Sequence, residues 1–271
     1  MRSPHDALRI THDETMRLTF LGTGTSMGVP VIGCRCAVCT SADPRNRRLR
    51  TSAALEVAGL TLLFDAGPDL RQQALAASLK RVDAVLLTHA HADHVSGLDD
   101  LRPLNFAQRS SIPLYGSAAT LAFVRGRFDY AFVNGSDGST RPALDLVEIC
   151  AERSFRVGPV DVLPFDVQHG TWTITGFRVG GLGYITDASA IPTASLAHLR
   201  GLDVLVLNAL RLTAHPTHFS VGEAREIVEA LRPRRALLVH MTHDLDHAMV
   251  NATLPDNLRL AYDGQVVEVE A

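Results

Sequence analysis

Three histidines and an aspartate crowd into Thr88-His89-Ala90-His91-Ala92-Asp93-His94, directly behind the apolar run Val82-Asp83-Ala84-Val85-Leu86-Leu87. Such a run reads as a buried strand. The polar cluster is then a strand-end turn, and the fold must gather other strand ends around the same cleft. Imidazole and carboxylate groups are good ligands for divalent metals. Three more such groups follow strand-like runs: His169 after Phe165-Asp166-Val167-Gln168, Asp187 after Gly183-Tyr184-Ile185-Thr186, and His240 after Ala236-Leu237-Leu238-Val239. One histidine behind one strand is ordinarily an edge residue, but the repetition argues for ligands. The donors His89, His91, Asp93, His94, His169, Asp187 and His240 are too many for one tetrahedral ion, which takes three or four protein groups. They suit two ions, with Asp187 the natural bridge because a carboxylate has two oxygens. Two ions roughly 3.5 to 4 Å apart can hold a hydroxide between them and stabilise a phosphoryl group under attack, so hydrolysis is the implied reaction.

The rest of the chain supplies the frame. Arg17 to Leu21 reads as an opening strand that runs into the glycine-rich turn Gly22-Thr23-Gly24-Thr25-Ser26-Met27-Gly28. That turn lacks the spacing of a dinucleotide fingerprint and has no P-loop lysine, which argues against a nucleotide-phosphate cradle. A hairpin is expected over 53–57 and 60–64, a helix over 70–79, a helix over 95–108 interrupted near Pro103, a strand over 112–115 and a helix over 118–128. The stretch Tyr130 to Pro142, rich in Gly, Ser and Asn, reads as a loop overhanging the site. Strands follow near 146–149, 160–167, 171–174, 176–179 and 183–186, then a strand over 202–207, a helix over 221–231, a strand over 235–239 and a helix over 244–250. Two β-rich halves with flanking helices predict an α/β fold in four layers, an αβ/βα sandwich of two mixed sheets. Residues 17–271 are expected to form a single hydrolase domain behind a flexible tail, residues 1–16.

Composition narrows the function. The net charge of −3 in 271 residues provides no global basic field, so a small anionic substrate is expected rather than nucleic acid. No apolar run approaches the length of a membrane span, and residues 1–16 carry no signal-peptide pattern; a cytoplasmic protein is expected. Cys34, Cys36 and Cys39 cluster while Cys150 stands apart, which favours a metal clip over a disulfide framework. Three thiolates ordinarily want a fourth ligand for tetrahedral zinc, and Cys150 or a histidine is available.

The seven donors resemble those of the metallo-β-lactamase-fold hydrolases, whose motif is His-x-His-x-Asp-His followed by distant His, Asp and His. The resemblance spans Asp65 to His240. It implies one ion on His89, His91 and His169, a second on Asp93, His94 and His240, and Asp187 bridging; zinc, manganese or iron would serve. It also makes Asp65, in Leu62-Leu63-Phe64-Asp65-Ala66-Gly67, the carboxylate that orients the ligand turn. True β-lactamases generally lack the bridging aspartate, and the oxygen-reducing members replace the second histidine by glutamate. The cysteine spacing resembles the phosphoribosyl 1,2-cyclic phosphate phosphodiesterase subfamily, where such a clip binds a structural zinc. That resemblance implies His243 as the fourth zinc ligand and His218 as the catalytic histidine, a general acid or a phosphate-orienting donor, working beside Asp93. His215 is its rival in the same loop.

The expectation is therefore a dinuclear phosphodiesterase acting on a small phosphorylated substrate such as a cyclic phosphodiester, with a homodimer as the default assembly. The alternatives are a tRNase Z-like nuclease, which would need a basic arm, a relative of the pyrroloquinoline-quinone biosynthesis protein that also carries a clip, or a binding protein without turnover. Arg47, Arg48 and Arg50 form a basic run behind the clip, read either as solvated surface or as a phosphate attractor.

Overall fold

The computed structural model describes residues 15–133 and 139–270. Its first sheet is built from β1 (Met16–Gly22), β2 (Ser52–Val57), β3 (Leu60–Phe64), β4 (Ala84–Leu86), β5 (Ile112–Gly116) and β6 (Leu144–Glu148). The second holds β7 (Phe155–Val157), β8 (Val160–His169), β9 (Trp172–Val179), β10 (Leu182–Tyr184), β11 (Val204–Asn208), β12 (Arg235–Val239) and β13 (Leu258–Leu260). The last strand, β14 (Val266–Val269), returns to the first sheet and pairs antiparallel with β1, giving the orders β14-β1-β2-β3-β4-β5-β6 and β13-β12-β11-β10-β9-β8-β7. Outside the sheets lie α1 (Leu70–Ala76), α2 (Ala92–Val95), α3 (Arg102–Gln108), α4 (Ala118–Arg127), α5 (Thr193–Leu196), α6 (Val221–Leu231) and α7 (His247–Asn251).

The apolar runs are continuous because both faces of the central strands are buried. In β4, Ala84 and Leu86 join the core between the sheets, while Val85 and the following Leu87 join the core under the first helical layer. In β11, Val204 and Val206 face the inner core, Leu205 and Leu207 the outer one against Ala224 and Val228 of α6. Phe64 and Tyr184 stack across the sheet interface at 4.2 Å. Three apolar cores separating four layers give the sandwich expected from the sequence. Strands β3, β4 and β5 run parallel, as do β10, β11 and β12, so loops at their carboxyl ends gather along one rim. Open α/β sheets offer ligand sites at such rims.

Several expected boundaries shift. Met16, assigned to the tail, is buried in β1 and pairs with Val269. Residues 1–14 of that tail, and 134–138 of the loop Tyr130 to Pro142, lie outside the described residues. Pro103 does not interrupt a helix; it sits in the first turn of α3, where its missing N–H costs no hydrogen bond. The two strands expected over 171–174 and 176–179 are one, β9. Gly176 stays in the ladder opposite Phe165, whose ring fills the space a Cβ would need, 2.4 Å away. No helix among the described residues is long and apolar enough to cross a membrane.

Candidate metal centres

Four strand ends deliver the predicted donors. His89, His91, Asp93 and His94 follow β4, His169 closes β8, Asp187 follows β10 and His240 follows β12. Their ligand atoms form two groups, His89/His91/His169/Asp187 and Asp93/His94/Asp187/His240, each within 4.8 Å, sharing Asp187. Three carboxylate or imidazole residues of the rim, Asp65, Asp187 and His240, have φ of 57°, 57° and 58°. Left-handed backbone is costly away from glycine and persists where surrounding structure imposes it, commonly at functional sites. Gly67 serves the same turn differently: a Cβ there would lie 2.1 Å from the Asp93 carbonyl oxygen, so only glycine lets the Asp65 turn pack against the ligand turn.

The surrounding hydrogen bonds fix which ring nitrogen faces the centre. Asp65 is fully buried; it accepts from the Thr88 N–H at 2.8 Å, the Thr88 hydroxyl at 2.7 Å and His94 Nδ1 at 2.7 Å. The Thr88 oxygen in turn receives His89 Nδ1 at 3.0 Å, and His169 Nδ1 donates to the Thr217 carbonyl at 2.8 Å. Each ring therefore turns its Nε2 inward, the nitrogen that would bind a metal with Nδ1 held by its partner. His89 Nε2 lies 2.9 Å from His91 Nδ1, two nitrogens converging on one point. His94 Nε2 is buried, 3.2 Å from Asp93 Oδ2 and 3.4 Å from Asp187 Oδ1, yet has no hydrogen-bond partner among the described residues.

Electrostatics agree with this geometry. Burial pushes His89 well below its ordinary range and lowers His91 and His169 as well, favouring neutral rings. Burial also opposes charge on Asp187, but His240 and His94 outweigh it and hold that carboxyl well below the usual range. Burial alone would lower His94; the carboxylates of Asp187, Asp65 and Asp93 more than offset it and raise the ring instead. Buried carboxylates so arranged call for cations, and the donor set fits divalent metal.

His218 stands beside this cluster. Its Nε2 is 3.3 Å from Asp187 Oδ2, its Nδ1 2.9 Å from the Thr217 hydroxyl, and its ring stacks on His240 at 5.0 Å. Burial lowers its pKa. His215 lies behind it, Nδ1 to Nδ1 at 3.3 Å, and touches Thr217 rather than the donors.

A second assembly lies in the loop after β1. His243 Nδ1 is 3.2, 3.4 and 3.3 Å from the sulfurs of Cys34, Cys36 and Cys39, close to the S···N edge of about 3.5 Å that zinc bond lengths give in a tetrahedron. Cys150 is exposed and outside this group. The Cys39 backbone N–H, chiefly, brings Cys36 down to about 6, while burial pushes Cys39 up to about 11. A divalent cation would resolve that conflict by deprotonating all three thiols.

Within the basic run Arg47 is exposed, as solvated surface would be, but its neighbours are not. Arg48 is 1 % exposed, donating to the carbonyls of Thr242 and Leu245 at 2.8 and 2.6 Å. It braces the loop that carries His243. Arg50 is paired with Asp69 at 2.8 Å. Thr88 and Thr217 also escaped the sequence reading, since their roles arise only where strand ends meet.

The family described as the β-lactamase superfamily domain matches residues 61–241. An octanoyltransferase from Porphyromonas gingivalis is 36 % identical over 252 residues, covering 92 % of this chain but 51 % of that protein, so the chain spans about half its length. A ribonuclease Z from Mycolicibacterium gilvum is 30 % identical over 241 residues, 81 % of this chain and 73 % of that one. Among solved structures, a diphosphatase from the PhnP family superposes with a TM-score of 0.88 at 41 % identity, covering 94 % of this chain and 97 % of the other.

Proposed function

Since this chain belongs to the β-lactamase superfamily, with the fold of its metal-dependent hydrolases, we propose that it hydrolyses a small phosphodiester, such as a phosphoribosyl cyclic phosphate, with two divalent ions. The observation that carries this reading is the pair of four-donor groups sharing Asp187. His89, His91 and His169 would hold one ion, Asp93, His94 and His240 the other, and Asp187 both. When bound, such ions supply an activated water and offset charge on the phosphoryl group. The likeness to a PhnP-family diphosphatase over nearly its whole length favours a phosphorylated substrate.

The protein's own residues divide the remaining work. Asp65 and Thr88 keep the ligand turn in register. Cys34, Cys36, Cys39 and His243 would hold a structural zinc that ties the β1–β2 loop to the loop after β12. His218 suits phosphate orientation better than proton delivery: burial already lowers its pKa, and neighbouring cations would lower it further, leaving a neutral ring that donates one N–H. Residues 17–271 would act together as one catalytic domain, Met16 opening its first strand. The octanoyltransferase name does not transfer, because the chain spans half of that protein.

The test is direct. Protein loaded with Mn²⁺ or Zn²⁺ should cleave bis(p-nitrophenyl) phosphate, and release of nitrophenolate should cease on chelation. Absence of turnover with either metal would overturn the proposal. Salt-sensitive retention of tRNA would favour a nuclease, the direction in which the ribonuclease Z relative points.

A further inference from the structure

Trp172 is the chain's one tryptophan, and it is 51 % exposed. It faces His169 across the turn Gly170-Thr171, the pair that closes the β8–β9 ladder. Directly paired residues of an antiparallel ladder project from the same face. The His169 ring points to the donor cluster, 5.1 Å from His91 and 4.7 Å from His218. Trp172 therefore stands on the site's side of the hairpin, and its ring lies 4.7 Å from that of His91 at a 35° tilt.

The turn is anchored, so this placement is fixed. Beside the His169 bond to Thr217, the Gly170 N–H donates to Ser189 Oγ at 3.0 Å, and a Cβ on Gly170 would lie 2.8 Å from Thr217 Cγ2. The indole belongs to none of the three apolar cores. One part of the ring covers His91 and the remainder meets solvent beside the donor cluster. Exposed aromatic rings beside phosphate sites are the means by which proteins stack nucleobases.

We propose that Trp172 is a stacking platform for a planar base on the substrate, so that among the small phosphodiesters named above the hydrolase takes nucleoside-bearing ones in preference to a base-free phosphoribosyl cyclic phosphate. The inference rests on the phosphoester reading above, because a phosphate seated in the donor cluster is what brings a base within reach of the indole.

As the lone tryptophan, Trp172 reports its own occupancy. Metal-loaded protein is titrated with adenosine 5′-monophosphate and, separately, with ribose 5-phosphate, following indole emission and measuring affinity by calorimetry. The nucleotide should quench the emission and bind about ten-fold or more tightly than the sugar phosphate, the effect expected of one stacked base. Trp172→Ala should erase that preference and Trp172→Phe retain most of it, with metal content checked in both. Equal affinities, or a preference that survives Trp172→Ala, would overturn the platform and leave the hydrolase reading intact. Failure of both phosphates to bind would remove the two together. The wild-type comparison decides the matter even if a variant loses metal.

Discussion

At the rim of the sheets, His89, His94, His169, Asp187 and His240 are buried at strand ends, whereas Cys34, Cys36, Cys39 and His243 are half-buried in loops. The first group is aimed by the fold: Asp65, Thr88 and Thr217 orient its rings through hydrogen bonds, and left-handed backbone at Asp65, Asp187 and His240 turns the chain at each strand end. The second is held more lightly, by the Val31 and Cys39 N–H groups that donate to the sulfurs of Cys39 and Cys36 and by the brace from Arg48 on the loop that carries His243. One site is preorganised and should survive, as geometry, without metal. The other should take its order from the ion it holds.

This contrast can be broken by substitution, beginning where the effect is greatest. Asp187→Ala removes the donor shared by both groups and should lower kcat/KM more than about 100-fold, beyond what loss of an outer hydrogen bond does; a rate near wild type would show that the groups are independent. Asp65→Asn keeps the volume but discards the charge that His94 and Thr88 share. It should cost about 10- to 100-fold in activity or metal affinity, measured by rate and by metal titration, with little change in fold.

Substitutions on the clip should read differently. Cys36→Ser should lose about one zinc per chain in elemental analysis while retaining the active-site metals. Equal zinc content would remove the clip assignment. Arg48→Met, the mildest, strands the buried carbonyls of Thr242 and Leu245 and should lower stability by about 3 kcal/mol in denaturant unfolding. If it also weakened active-site metal as much as clip zinc, the two regions would be one cooperative unit rather than two.

The donor cluster was legible because its signal is local: four donors in one turn, then single donors at the ends of apolar runs. The layers were legible for a related reason, since strands buried on both faces leave uninterrupted apolar runs. What stayed hidden depends on enclosure. Nothing in Arg47-Arg48-Leu49-Arg50 marks Arg48 as the buried member, because a charge run looks the same whether or not loops close over it. The place of Trp172 follows from the register of one hairpin, which a two-residue shift in the expected strands conceals. Likewise the enclosure of His218 is visible only once His169, His240 and Asp187 surround the ring.

The central claim is two ions joined by one carboxylate, with a third held apart. Crystals grown with zinc and measured on both sides of the zinc absorption edge would locate every ion by anomalous scattering. The account predicts three peaks, two of them on either side of the Asp187 carboxylate and one among Cys34, Cys36, Cys39 and His243. A single ion in the strand-end cluster, or Asp187 contacting only one of two, would contradict it.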